Sequence, residues 1–127
     1  MTRPVLGEPT ATQLLEAVAG YLESVALPKL EGHAAFHGRV AVNVVNIVKR
    51  ELEMGPAAAE AERQRLAALL GADGDLDNLR TDLCARLREG AMNFDTPGLA
   101  DHLLATAVDR VRIEQPQYKS LKLVAPP

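Results

Sequence analysis

The sequence predicts an all-α protein, folded as a single compact bundle of about five helices with an extended C-terminal tail. Apolar residues recur at helical spacing in one block after another, and Gly and Pro residues separate these blocks. Strand and helix patterns do not alternate, which argues against an α/β fold. Aromatic residues make up only 3% of the chain and Trp is absent, so the predicted core is aliphatic.

The chain of 127 residues is expected to form one helical domain, because this length is typical of a single domain. Within that domain, residues 1–9 are predicted to be an extended N-terminal segment and residues 115–127 an extended tail. The tail carries Pro near both ends, and Pro cannot continue a helix.

The first two helices are predicted before residue 54. Thr10 is suited to cap the first helix, which ends before Pro28 because the residue preceding a proline avoids the helical region. The second helix runs from about His33 to Glu53 and is expected to be the central one, since its apolar pattern is too long for a strand. Its wide apolar face consists of Phe36, Val40, Val44, Ile47, Val48 and Leu52.

A third and a fourth helix are predicted between Gly and Pro residues. Gly55-Pro56 predicts a break, with the third helix starting at that proline and ending at Gly71. An Asp-Gly turn follows, and Gly90 closes the fourth helix. The apolar stripe of the fourth helix consists of Leu76, Leu79, Leu83 and Leu87.

The fifth helix is predicted from Thr96-Pro97 to about Ile113. Thr followed by Pro is a typical helix start, because Thr caps the helix and Pro fits its first turn. The apolar positions of this helix are Leu99, Leu103, Leu104, Ala107, Val108 and Val111.

Charge and composition exclude several function classes. The formal net charge is −3, and basic and acidic residues are mixed along the chain. A nucleic-acid partner is therefore not expected, since a basic stripe and stacking aromatics are missing. No apolar stretch approaches the ~20 residues of a membrane span, and the N-terminus lacks a signal-peptide pattern. Together with one unpaired cysteine, Cys84, these features predict a cytoplasmic protein without a membrane partner.

Two metal-binding patterns are incomplete. Asp73, Asp75 and Asp77 have the spacing that begins a calcium loop, but the Gly and the bidentate Glu of that loop are missing. We interpret these acids as helix caps. His33 and His37 would share a helix face, yet nothing nearby completes a zinc site. No metal is expected.

Catalytic motifs are also absent from the sequence. Cys84 lies beside a leucine stripe and is interpreted as a small buried hydrophobic residue. The chain has no phosphate-binding glycine loop, no Gly-x-Ser-x-Gly elbow and no convincing pair of carboxylates. We therefore assign no catalytic residue and no cofactor, and an enzyme is the less favoured class.

Two polar stripes are the candidate ligand-binding residues. The first lies on the second helix at positions i, i+4, i+7 and i+11, and the second lies on the fifth helix. A buried structural network is the favoured interpretation. If both stripes face one cleft, however, the two guanidinium groups and the amides could hold a phosphate or an acyl-CoA. The candidate residues are Arg39, Asn43, Asn46, Arg50, His102 and Thr106.

Five short motifs resemble a bacterial domain-of-unknown-function family, and the resemblance covers about residues 7–118. They are Arg39-Val-Ala-x-Asn43, Arg50-Glu51-Leu52, Gly55-Pro56, His102-Leu-x-x-Thr106 and Gln115-Pro116-x-Tyr118. The resemblance implies genes beside, or fused to, kinases similar to aminoglycoside phosphotransferases, with acyl-CoA dehydrogenases nearby. It implies no catalytic residues.

Three functions follow as hypotheses. The leading one, which the resemblance implies, is a helical accessory protein that binds or regulates such a kinase in acyl-CoA or hydroxy-acid metabolism. The second is a small-molecule binder for an anionic ligand. The third is a self-associating bundle, in which a homo-oligomer covers the apolar faces.

Overall fold

The computed structural model describes residues 7–124, and every regular element in this range is helical. A π-helix, Leu22–Ala26, and a 3-10 helix, Leu27–Lys29, lie between the first two α-helices. The all-α prediction is confirmed, since no strand occurs among the described residues. The α-helices are α1 Ala11–Tyr21, α2 Gly32–Leu70, α3 Leu76–Glu89, α4 Leu99–Glu114 and α5 Leu121–Val124.

The predicted N-terminal cap of α1 is confirmed. The Thr10 hydroxyl accepts a hydrogen bond from the Gln13 backbone N–H at 3.1 Å, and the Gln13 side chain accepts one from the Thr10 backbone N–H at 2.8 Å. This reciprocal pair is a capping box, which satisfies two N–H groups that the helix leaves without partners. Gly7–Pro9, before the cap, are not helical; residues 1–6 of the predicted extended segment lie outside the described range.

The predicted break at Gly55-Pro56 is wrong, because α2 runs through Pro56 without interruption for 39 residues. Proline inside a helix lacks an N–H donor and costs about 3 kcal/mol. Here the proline is followed by Ala, Glu, Arg and Leu residues, which are strong helix formers. The long stretches of helix before and after Pro56 offset the cost of the proline. The predicted second and third helices are therefore one helix.

The two ends of α3 lie where the sequence predicts them, whereas the start of α4 does not. The Asp75 carboxylate caps α3 by accepting from the Asn78 backbone N–H, and Gly90 closes it with φ of 79°. Helix α4 is capped by Gly98, whose φ is 86°, and not by Thr96 as predicted. The left-handed backbone at Gly98 prevents the helix from beginning earlier.

The segment after α4 contains one short helix that the sequence did not indicate. The residues between Gln115 and Ser120 form turns, and the four residues of α5 follow them. The predicted extended tail is therefore interrupted by a helical turn. Residues 125–127 of that tail lie outside the described range.

The chain divides into two compact units, of which the first ends at Pro56 and the second begins at Ala57. The single domain therefore stays a prediction that rests on chain length. Within residues 7–124, none of the helices combines the length and the apolar character needed to cross a membrane.

The first unit is built from α1 and the first part of α2. Gly38 lets α2 pass close to the preceding 3-10 helix, because a Cβ at this position would lie 2.8 Å from Cδ2 of Leu27. Among the described residues of this unit, only Ala19 and Val42 are buried. The apolar face predicted for the second helix is thus largely exposed, and at Phe36, Val40, Val44, Val48 and Leu52 the expected core position is wrong.

The second unit contains an aliphatic core, as the lack of aromatic residues predicted. One cluster joins the end of α2, helix α3, the following loop and the start of α4. Leu66 is fully buried at its centre. The buried members of the cluster are Leu66, Leu70, Leu79, Leu83, Met92 and Leu99.

Candidate functional site

The first predicted polar stripe lies on α2 in the first unit. Arg39 and Asn43 are exposed, whereas Asn46 and Arg50 are half-buried. The four residues keep to one side of the helix because α2 is continuous here. Two of them are accessible from solvent, and the anionic ligand assigned to the stripe stays a prediction.

The second predicted stripe lies on α4 in the second unit, where His102 and Thr106 share a partner. His102 is 5% exposed and Thr106 is half-buried. Arg65 of α2 donates from Nε to His102 Nδ1 at 3.2 Å and from Nη2 to Thr106 Oγ1 at 3.0 Å. The structure therefore brings His102 and Thr106 together around an arginine. Convergence of this stripe with the first one stays a prediction.

His102 is a neutral imidazole held in one orientation. Burial lowers the pKa of His102, the charge of Arg65 lowers it further, and the carboxylate of Glu62 acts in the opposite direction. Accepting a hydrogen bond at Nδ1 requires that nitrogen to be unprotonated, so the ring proton resides on Nε2. The ring thereby joins α4 to α2.

An ion pair between the buried Glu62 and the half-exposed Arg80 joins α2 to α3 in the same unit. The carboxylate of Glu62 accepts from Arg80 Nε at 3.0 Å and from Arg80 Nη2 at 2.6 Å. This parallel pair is the geometry in which a guanidinium fits a carboxylate. The hydrogen bonds to Glu62 raise the pKa of Arg80. Burial of Glu62 is tolerated because both carboxylate oxygens have partners.

The acids before α3 are structural, as we interpreted them, and the predicted cap is found at Asp75. Asp75 caps the helix, as described above. Asp73 accepts from the Gly74 backbone N–H at 2.8 Å and from Arg63 Nη1 at 3.0 Å. Arg63 also donates twice to Glu60, at 2.9 and 2.8 Å, and these bonds lower the pKa of Glu60. The exposed pairs add little to stability.

The polar cluster of the second unit consists of Glu62, Arg65, Arg80, His102 and Thr106. The sequence did not predict its three charged members. A signal for Glu62 was present, since it lies four residues before Leu66 and eight before Leu70 on the buried face of α2. A charged residue in line with core leucines indicates a buried partner. The identity of that partner depends on how α3 packs, which spacing along one helix does not reveal.

Phe94 is the most exposed large hydrophobic side chain among the described residues, with 86% of its surface accessible. It lies on a turn between α3 and α4 that three hydrogen bonds hold. The Asn93 backbone N–H donates to Thr96 Oγ1 at 2.9 Å, and the Thr96 N–H donates to the Asn93 carbonyl at 3.0 Å. The Asp95 N–H donates to Asn93 Oδ1 at 2.8 Å. The turn fixes the backbone beneath an aromatic ring that points into solvent.

The remaining candidate residues are on the surface. Cys84 is exposed, so its predicted burial is wrong. The preceding residue, Leu83, takes the core position, and a helix turns by about 100° per residue. His33 and His37 are exposed on α2, and the His37 ring contacts that of Phe36 edge to face. Across residues 7–124, no group of three or more His, Cys, Asp or Glu residues could hold a metal ion.

Comparison with known proteins identifies a family but no function. The family model described as Domain of unknown function (DUF6285) matches residues 28–118. No curated protein and no solved structure matches the chain. The match includes α2, α3 and α4 and thus every residue of the polar cluster.

Proposed function

The chain belongs to the DUF6285 family, and we propose that it is a non-enzymatic accessory protein that binds another protein in the bacterial cytoplasm. The partner we propose is a kinase similar to aminoglycoside phosphotransferases, which acts in acyl-CoA or hydroxy-acid breakdown. Resemblance of the five short motifs to the family supports this choice. The binding mode rests on one observation, the exposed aromatic ring of Phe94.

An aromatic ring on an ordered turn is suited to anchoring a protein partner. Aromatic residues are enriched among the few side chains that carry most of the energy of an interface. Binding also costs entropy when a loop must become ordered, and the three hydrogen bonds of residues 93–96 reduce that cost. In a chain with only two Phe and two Tyr residues, such a placement favours a binding role.

Neighbouring elements add apolar surface to the second unit. Helix α4, which begins five residues after Phe94, exposes Leu103 and Leu104, and Tyr118 is exposed after its end. Leu104 lies on the side of α4 opposite the buried residues Leu99 and His102, whereas Leu103, one turn after Leu99, flanks the buried side. An interface centred on Phe94 could therefore extend along α4 and bury aliphatic surface around the aromatic anchor.

Copurification of the kinase with the tagged chain tests this proposal. We expect the wild-type chain to retain the kinase and Phe94→Ala to weaken binding by at least about tenfold, which is the typical effect of removing an interface anchor. Leu123→Ala is the matched control. Leu123 is 84% exposed, nearly as much as Phe94, but it lies in α5 and not on the turn that carries Phe94. Absence of a complex with the wild-type chain, or equal binding by Phe94→Ala, would contradict the proposal.

A second candidate function is favoured by the exposure of Arg39 and Asn43, which lie one turn apart on α2. Their guanidinium and amide groups could donate to a phosphate or a CoA ester, with Asn46 and Arg50 continuing the stripe. A thermal shift in the presence of CoA esters or inorganic phosphate tests this binding. We expect Arg39→Ala to remove most of the shift, and an unchanged shift would exclude Arg39 from the site.

A further inference from the structure

The continuous helical segment formed by α1 and the π-helix after it is apolar on two faces, and the first unit covers only one of them. On the covered face Ala19 is buried, and Leu15 and Leu22 are half-buried. The other face carries four side chains whose exposed fraction lies between 42% and 59%: Leu14, Val18, Tyr21 and Val25. Their spacing of four, three and four residues is the heptad pattern of helices that pack against a partner helix.

The first part of α2 carries a row of exposed apolar side chains that winds around the helix, because each step of four residues turns the direction by about 40°. Its five apolar side chains follow one another at intervals of four residues and are each between 38% and 55% exposed: Phe36, Val40, Val44, Val48 and Leu52. A helix that is apolar around most of its circumference is normally buried. Both helices of the first unit thus have the pattern of core helices without the corresponding burial.

The exposed surface is large enough for a stable interface. Burying one aliphatic side chain removes roughly 60–120 Å² from water, so nine side chains that are about half exposed present roughly 300–500 Å². Apolar atoms make up a little over half of a specific interface. An interface built around these residues therefore measures roughly 500–900 Å² on each partner, and the standard value is about 800 Å².

Charge favours contact between α1 and α2 of different molecules. From Ala11 to Ala26 the only charged residues are two exposed acids, Glu16 and Glu23. Over residues 32–52 the charged residues are Arg39, Lys49, Arg50 and Glu51, so this part of α2 has a net charge of +2. Acidic α1 and basic α2 are complementary, whereas two copies of α1 would repel each other.

We propose that the first unit is the interface of a two-fold symmetric homodimer. In this dimer, α1 of each copy packs against the first part of α2 of the other copy. A two-fold interface uses the same surface twice, so one α1 and one α2 face per chain are covered together. The four helices form an antiparallel bundle with an aliphatic centre. This surface is distinct from Phe94 in the second unit.

The oligomeric state of the full chain gives the first test. Light scattering after gel filtration, in the presence of reductant and over a series of concentrations, should give the mass of a dimer. Val18→Glu and Val44→Glu should each give a monomer with unchanged helical circular dichroism, since both residues are exposed within one chain. Leu123→Glu and Phe94→Ala are the matched controls and should remain dimeric.

Charge reversal tests the pairing of α1 with α2. Arg39→Glu should weaken the dimer by about two- to fivefold, in line with an exposed ion pair, and Glu16→Lys with Glu23→Lys should do the same. A chain that carries all three substitutions should recover wild-type affinity, because α1 is then basic and the first part of α2 carries the new acid. Failure to recover would overturn the pairing even if a dimer forms.

Cross-linking tests the same contact without relying on affinity. In a Cys84→Ser background, which removes the one native thiol, a mixture of Val18→Cys and Val44→Cys chains should give mainly mixed cross-links with a short bismaleimide. A wild-type chain that is monomeric at every concentration overturns the proposal. So does a dimer that tolerates both glutamate substitutions, or one that cross-links mainly Val18→Cys to itself.

Discussion

The two units of this chain differ in what their apolar residues touch. In the second unit, leucines from α2, α3 and α4 enclose a buried cluster around Leu66. In the first unit, Val and Phe side chains of the two helical segments remain exposed to solvent. The difference teaches that apolar periodicity alone does not make a core. Three helices can surround a central space, whereas two leave most of their surface outside.

Polar groups follow the same division. The second unit buries Glu62 and His102, each with an arginine partner from another helix. In the first unit, the polar stripe that begins at Arg39 is exposed at that end. Buried polar groups need partners in fixed geometry, so the second unit is specified by both its leucines and its hydrogen bonds.

The largest expected effect comes from removing a side chain at the centre of the second unit. Leu66→Ala should lower the free energy of unfolding by about 2–5 kcal/mol, because it leaves a cavity among packed leucines. Val44→Ala, at an exposed position, should change it by less than about 0.5 kcal/mol at a concentration where the chain is monomeric. Urea unfolding measures both. Equal losses would show that the contrast between the units is false.

A smaller loss is expected when the ion pair of the buried Glu62 is broken. Arg80→Ala leaves the Glu62 carboxylate buried without its two hydrogen bonds, and we expect a loss of about 1–3 kcal/mol. Arg88→Ala, on the exposed surface of the same helix, should stay within about 0.5 kcal/mol. A loss no greater than that of the control would mean that the pair does not stabilise the second unit.

His102 predicts a dependence of stability on pH. Its pKa is lower in the folded chain than the value of about 6.5 in the unfolded chain, so below that pH the unfolded state binds the proton more readily. Stability is therefore complete above pH 6.5 and decreases as the pH falls towards the folded pKa. Urea midpoints at several pH values should decrease less in His102→Gln. His37→Gln, at an exposed ring, should behave as wild type, and an unchanged slope in His102→Gln would refute the assignment.

The smallest expected change is a gain in the first unit. Gly20 lies within α1, and a Cβ there would meet no atom within 4 Å. Gly20→Ala should increase the protection of α1 amides from hydrogen exchange by about 0.5–1 kcal/mol, since glycine disfavours helix. Gly32→Ala is the contrasting variant, because φ is 58° at that position and alanine would be strained. Loss of protection in Gly20→Ala would contradict the finding that a Cβ at Gly20 meets no neighbouring atom.

Local features of the fold were predictable from the sequence, and long-range features were not. The Thr10 cap and the closure of α3 at Gly90 depend on residues within one turn, so their residue types were sufficient. Pro56 was misread because its cost is balanced by the helix on both sides. The face that begins at Phe36 was expected in the core because periodicity identifies an apolar face without identifying what covers it.

The candidate site was predictable to the same extent. His102 and Thr106 were found because they share one face of α4. Arg65 lies 37 residues before His102 along the chain, and Arg80 lies 18 residues after Glu62. Such pairings depend on how helices pack, which a single sequence does not specify. Phe94 was not among the candidate residues, because the turn that presents it depends on three hydrogen bonds.

The ring of His102 also makes the second unit observable by itself. The chain has three histidines, and two of them, His33 and His37, lie exposed in the first unit. Only His102 is held with Nδ1 accepting a hydrogen bond from Arg65. The nitrogen chemical shifts of an imidazole distinguish its tautomers, so one resolved signal in a ¹⁵N spectrum reports whether α4 is docked on α2. Loosening of the leucine cluster would therefore register as mixing of tautomers at this ring.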